Sequence, residues 1–358
     1  MINIKHEKIF AAVISLQMAT LSYGQTVPSD LLDMSLEELF TVNIDQGIDG
    51  STLGQSKWTF SYNFQKSNFK DYYDGSSKVP VQDVLWTPGQ EPRSDSNYPV
   101  VPTDIDQEVH ALRLGYNFNQ AMSINVVTPY IKQSTDHISI VSGYDQFVIK
   151  SAGIGDITIM GAYQFHWLGS GNWRAGTGIS LPTGSIDEEG DTPRAPGDQQ
   201  LPYTMQLGSG TYDIPAFLSY ANHRSSYHWG GDIRGKLRLG ENDRNYTLGN
   251  NLSVSGWARL TTIEWIQPTA QLSYWYRGKI SGMDSDLEVP GPYPYPAPVV
   301  DPNRFGGEQF DLKLGIRIPL MKNTQHVELS YSIPLYRDLN GPQSGEEYTV
   351  GLSFSTEW

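Results

Sequence analysis

The chain has 358 residues, 38% hydrophobic and 12% aromatic, with 21 Tyr, 9 Trp, 35 Gly and no Cys. The absence of thiols excludes disulfides, thiol catalysis and cysteine-ligated metals, and aromatic and glycine enrichment without long charge runs points to an all-β chain. A net charge of −14 argues against nucleic acid as a partner but not against a membrane, because a β-barrel hides its hydrophobicity in alternation.

Residues 1–24 read as a signal peptide: Lys5 and Lys8 precede an apolar stretch from Ile9, and Ser22 and Gly24 occupy −3 and −1 of a cleavage site before Gln25. A membrane anchor is the competing reading, but the apolar stretch is short and carries Gln17. No later run reaches the roughly 18–20 apolar residues of a spanning helix. Residues 25–55 form a periplasmic or lumenal segment in which Ser29 can cap a short helix, with Leu31, Leu32, Leu36, Leu39 and Phe40 on one side. Ser35 with Glu38 repeats a capping-box pattern. The stretch 29–44 resembles the segment before the plug of TonB-dependent receptors, which implies a small gate or a handle for a periplasmic partner. A leader that only lies against the barrel fits the same residues.

Twelve period-2 segments follow within 56–358: roughly 56–66, 106–118, 121–132, 152–166, 171–183, 211–222, 226–238, 249–260, 262–277, 307–319, 323–336 and 346–358. Most exceed the roughly 9–11 residues that a tilted membrane strand needs, and all exceed the globular average of about 5–6. In the last, Tyr348, Val350, Leu352, Phe354, Thr356 and Trp358 oppose Thr349, Gly351, Ser353, Ser355 and Glu357. A soluble sandwich alternates in the same way, so the connections decide. Those after odd segments are long: 67–105, 133–151, 184–210, 239–248, 278–306 and 337–345. Those after even segments are tight, such as Asn119-Gln120 and Arg224-Ser225. This rhythm predicts an all-β, up-and-down antiparallel membrane β-barrel of about 12 strands with a short N-terminal helix, in the outer membrane of a Gram-negative bacterium.

With apolar faces on lipid, parity turns Arg113, Asp156, Arg174, Asp213, His228, Asp232, Arg234, Lys236, Arg238, Arg259, Arg277, Asp311, Lys313, Arg317, Glu328 and Glu357 to the lumen. They can line a mildly cationic path for neutral or anionic solutes, or pair across the lumen and stiffen the barrel. Phe217, Trp257, Trp265, Trp275 and Tyr336 also turn inward, as a stacking track for an aromatic solute or as packing under a plug. No H-E-x-x-H, phosphate loop or G-x-S-x-G is present, and His110 has lipid-facing parity with no serine placed beside it. Neither catalysis nor a cofactor or metal is expected. The acidic stretches SIDEEGD (185–191) and MDSDLE (283–288) lack the spacing of a calcium loop and read as solvated tips. PGPYPYPAPVVDP (290–302) is stiff and extended, able to fold over the mouth, receive a ligand or resist proteases.

GIGDITIMGAYQF (153–165), GTGISLPTGS (176–185), LGSGTYDIPAFLSY (207–220) and LGENDRNYTLGNNLSVSGWARL (239–260) resemble outer-membrane proteins grouped as a phenol-degradation meta-pathway family. The resemblance implies a β-barrel transporter of aromatic or other hydrophobic compounds. It is clear over about 152–260 and architectural elsewhere, and the leader and the insert at 67–105 depart from it. Gly153–Asp156, Leu181–Gly184, Leu207–Gly210 and Leu239–Asn242 fall at external strand ends, either as a shared solute mouth or as glycine-permitted turns and bulges. The expected function is a monomeric channel admitting small, hydrophobic or aromatic solutes by passive or gated diffusion. A non-transporting barrel that acts through its loops is the alternative. Expected partners are the lipid bilayer with its lipopolysaccharide, the solute, and the barrel-assembly machinery, which reads the closing strand at Phe354 and Trp358.

Overall fold

The computed structural model describes residues 57–89, 91–169, 171–321 and 324–358. The signal peptide and the capped helix of 25–55 lie outside the described residues. Twelve strands organise the rest: β1 Trp58–Gly75, β2 Val100–Asn117, β3 Met122–Ser139, β4 Gln146–Ile154, β5 Ile157–Phe165, β6 Asn172–Leu181, β7 Tyr212–His223, β8 Tyr227–Leu239, β9 Asn251–Leu260, β10 Gln267–Arg277, β11 Gly307–Leu320 and β12 Gln325–Glu357. All but β4 follow one another in a single antiparallel path that closes β12 onto β1. β4 pairs with β3 alone, and the three-residue strand Ser77–Val79 pairs with β1 alone.

β12 is 33 residues long and crosses twice: Gln325–Leu339 runs against β11, and Leu339–Glu357 runs back against β1. Eleven barrel strands thus make twelve crossings. The seam is fixed to its last residue. Trp358 donates its backbone N–H to Trp58 O at 3.1 Å, and its own carbonyl accepts from the N–H groups of Trp58 (3.0 Å) and Lys57 (3.1 Å). Among the described residues the closed barrel path leaves no strand edge for lipid to meet, as a spanning sheet requires.

Burial is inverted relative to a soluble protein. Outward Leu112, Leu237 and Leu272 are at least half exposed, whereas inward Gln107, Asp213 and Arg259 are essentially inaccessible. Exposed aromatics gird the outside at two levels. Trp58, Phe118, Tyr163, Trp167 and Trp229 stand near the short turns, and Tyr130, Tyr212, Tyr276 and Phe310 stand toward the loops. No described helix is long and apolar enough to cross a membrane. The crossing is made by strands, and a closed barrel with this outer band belongs in the outer membrane of a Gram-negative bacterium.

The observed strand limits differ from the sequence expectation in four places. β1, β2 and β3 run to 18 residues each, well beyond the expected ends on the loop side. There the outward positions turn polar (Lys66, Asp106, Glu108, Lys132), so the hydrophobic alternation stops while the hydrogen-bonded ladder continues. The segment expected at 152–166 breaks at Gly155-Asp156 into β4 and β5, which meet different lengths of β3. The expected loop 337–345 is a continuation of β12, with Leu339 opposite Gly75 and Gln343 opposite Tyr73. Finally, β10 begins at Gln267 rather than 262.

Candidate functional site

The long connections fold over and into the barrel mouth, with only their tips in solvent. The one between β6 and β7 folds into the barrel, where Met205–Thr211 is held from several sides. Ser151 Oγ donates to Met205 O (2.7 Å) and Gln133 Nε2 to Gln206 O (3.1 Å). Leu207 packs on the inward faces of Val109, Ala111, Val127 and Ile131. Asp156 accepts from the N–H of Gly184 (2.9 Å) and from both the N–H and Oγ of Ser209 (2.8 and 2.7 Å). Asp213 accepts from the hydroxyls of Ser209 and Thr211 (3.2 and 2.7 Å) and is ion-paired with Arg238, both side chains nearly inaccessible. Asn242 Nδ2 closes the set on Ser209 O (3.0 Å).

The four glycine-punctuated stretches therefore meet at one node, centred on Ser209. Glycine is required where two of them cross: a Cβ on Gly184 would lie 2.4 Å from Leu207 O, and one on Gly208 2.4 Å from Gly184 O. Gly210, at φ +69°, turns the chain into β7. The sequence identified these stretches one by one; what it did not contain was that Asp156 and Asp213 are anchors for an inward segment.

Below this latch the inward charges are arranged in layers. Asp232 pairs with Arg234 Nε at 2.5 Å and accepts from Ser255 Oγ at 2.7 Å. Arg113 donates Nε and Nη2 to Asn125 Oδ1 (3.0 and 2.9 Å), and Arg174 donates Nη2 to Ser123 Oγ (2.8 Å). Arg259 Nη2 lies 3.0 Å from His228 Nδ1, and Arg317 Nη2 lies 3.2 Å from His326 Nδ1. Lys236 and Lys313 also point inward, Lys236 buried and within electrostatic reach of Asp156. Near the loop side, Trp275 Nε1 donates to Asp311 (3.0 Å), and the Arg277 guanidinium lies 5.2 Å from the Trp275 ring centre.

Only part of the expected aromatic track exists. Phe217 packs with Met160, Ala162, Ala221 and Trp257, whereas Trp275 packs separately with Phe69 and Ile105. Trp265 does not face the lumen. It lies on the turn before β10 and is 69% exposed, because Thr261–Ile266 mimics strand periodicity in a connection. Tyr336 does not face inward either; a register shift turns it outward beside Phe310. Phe354 and Trp358 lie on the outer face of β12, as parity predicts.

Above the latch the loops form a lid with its own apolar core. Val100, Tyr203, Tyr246, Leu248, Ile280, Leu287, Ala297, Val299 and Val300 pack together, drawn from three connections and the top of β2. The proline-rich stretch folds over the mouth, with Val299 and Val300 buried in that core. The acidic stretches are not free tips: Arg244 pairs with Asp187 (2.6 Å), Asp284 (3.2 Å) and Asp286 (3.1 Å). Burial pushes the Tyr203 phenol upward, and burial together with Asp301 does the same to Tyr98.

Between this lid and the wall lies a cavity of about 190 Å³, lined largely by apolar groups. Its wall side is His137, Phe147 and Ile149, with the His137 and Phe147 rings stacked at 4.6 Å. Its roof is Val289, Pro296, Ala297 and Val300, and Pro193, Arg194 and Pro202 close the flank. Burial lowers the Arg194 guanidinium from its ordinary value, opposed by Asp284 and Asp286. Of these residues the sequence singles out only Pro296, Ala297 and Val300, as part of the stretch 290–302 able to fold over the mouth or receive a ligand. The only available signal was the proline-rich loop itself.

No protein-family model matches the chain, and no curated protein does. Among solved structures, an outer membrane channel from Pseudomonas putida F1 is similar at 12% identity and a TM-score of 0.55, covering 87% of this chain and 98% of that one. The KdgM porin (6% identity, 84% and 99% coverage, TM-score 0.38) overlays less well. So does the toluene transporter TbuX of Ralstonia pickettii (7%, 86% and 90%, TM-score 0.39). The first likeness shows a shared barrel fold. The other two scores add nothing to it.

Proposed function

We propose that this barrel is a gated channel that admits small hydrophobic or aromatic solutes. The observation that carries the reading is the apolar cavity at the mouth, above a lumen into which a chain segment is packed against the barrel wall. A cavity of this size, lined by stacked and aliphatic side chains, suits a solute of about one aromatic ring. In this reading the solute is captured under the lid, Met205–Thr211 yields, and passage follows the arginine-lined lower lumen. The resemblance to the phenol-degradation meta-pathway family and the fold shared with a Pseudomonas putida channel support transport. No enzymatic role is proposed: His110 bonds Tyr62 on the outer face, and the inward His228 and His326 bond arginines.

One observation favours the alternative, a barrel that acts through its lid alone: the latch holds buried, fully bonded groups inside the lumen. Proteoliposome uptake of benzyl alcohol separates the two. The channel reading expects uptake above that of empty liposomes, reduced at least tenfold when Ala297→Trp fills the cavity. Liposomes no more permeable than empty ones, with lid and latch intact, would sink it in favour of the alternative. The N-terminal segment as a gate is tested in the same assay by deleting 25–48; unchanged uptake removes that role.

A further inference from the structure

Resting on the channel reading, we infer that the lower lumen contains an anion site built on Arg174, Arg113 and Arg234, and that its ligand is a small aromatic carboxylate. Arg174 is 6% exposed; Nη2 bonds Ser123, while Nη1 is buried and meets no acceptor. A buried guanidinium N–H without an acceptor is costly, and a carboxylate is the group whose geometry matches the fork. Arg113 spends two donors on the neutral amide oxygen of Asn125, with Glu357 within its electrostatic reach. Arg113, Arg174 and Arg234 lie within electrostatic reach of one another and repel.

The surroundings offset this charge only in part: Arg234 is ion-paired with Asp232, and Glu357 lies within electrostatic reach of Arg113. Arg259 and Arg317 donate to Nδ1 of His228 and His326, and neither imidazole brings a negative charge. Among the described inward groups of that half, Arg113, Arg174, Arg234, Arg259 and Arg317 face only Asp232, Glu328 and Glu357 as anions. The excess is positive, in a space walled by protein and lipid where charge is weakly screened.

The apolar half of the ligand is specified by the next residues along the wall. Phe217 stands opposite Arg234 in the β7–β8 register and opposite Gly176, two residues from Arg174, in the β6–β7 register. It packs with Met160 and Trp257. An aromatic ring lying on Phe217 and Trp257 brings its carboxylate toward Arg174 and Arg234. Inorganic phosphate would satisfy the guanidiniums but leave that aromatic surface unused.

The test is calorimetric titration of the purified, heat-modifiable barrel with benzoate, benzyl alcohol and inorganic phosphate, with liposome uptake of benzyl alcohol and benzoate run in parallel. Benzoate is expected to bind at least tenfold more tightly than either of the others. Arg174→Gln is expected to lower the benzoate-to-benzyl-alcohol affinity ratio at least tenfold, with Arg113→Gln as a second variant should the first fail to fold. Equal affinity for benzoate and benzyl alcohol, equal affinity for benzoate and phosphate, or an unchanged ratio in a folded variant overturns the site. Failure of the channel reading looks different: benzoate binds and responds to Arg174→Gln, yet neither solute crosses the liposome.

Discussion

The barrel and its lid bury opposite things. In the barrel, leucines such as Leu272 face outward and are more than half exposed, while Asp213 and Arg259 are sealed inside. In the lid, Tyr203, Leu287 and Val300 are sealed inside, and the charged groups Arg244, Asp187 and Asp286 sit toward the surface. One chain therefore solves two solvent problems. The strands need lipid to cover them and hydrogen-bond closure to survive it; the lid needs only water and a packed apolar core. Stability of one should be separable from stability of the other.

Removing Trp358 should have the largest effect, because it deletes the terminal backbone bonds of the β12–β1 seam and an exposed aromatic at the membrane edge. Heat-modifiable barrel in outer membranes should fall at least tenfold; any assembled fraction should conduct as before. Tyr203→Ala should cost the lid about 3–5 kcal/mol by emptying a buried aromatic site. Limited proteolysis would then cut the loops while the barrel keeps its heat-modifiable mobility, and loss of both together would refute separability. Leu272→Arg tests the other side: about 2–4 kcal/mol near the membrane midplane, read by folding titration in lipid vesicles, with loop protection unchanged. Ser209→Ala should cost roughly 1–3 kcal/mol locally by leaving Asp156 and Asp213 short of donors. Its signature is more frequent opening in planar bilayers at unchanged barrel stability.

The same division explains what the sequence revealed. Crossing strands are legible because lipid on one side and polar groups on the other impose a strict period of two on residues such as Leu312 to Arg317. Above the membrane that pressure ends, so the upper parts of β1 to β3, with Lys66, Glu108 and Lys132 outward, leave no hydrophobic trace although the ladder persists. Asp156, Asp213 and the glycines beside them stood out locally, but their meeting at Ser209 depends on a loop entering the lumen, which no local pattern encodes. The cavity is less legible still. Its walls come from residues as far apart as Pro99, Phe147, Arg194 and Val300, and a loop core of tyrosines, prolines and valines has no period to detect.

The crossing of Gly184 and Gly208 also sets limits on how this surface can be re-engineered. Backbones there approach too closely for any side chain, and Asp156, Ser209 and Asn242 tie the ends of β4, β6, β7 and β8 to that contact. A foreign peptide grafted at the exposed tip around Gly197, which has open space around it, leaves the knot untouched. The same graft five residues on either side of Ser209 would unpick four strand ends at once. For surface display, the usable part of this mouth is its outermost turn.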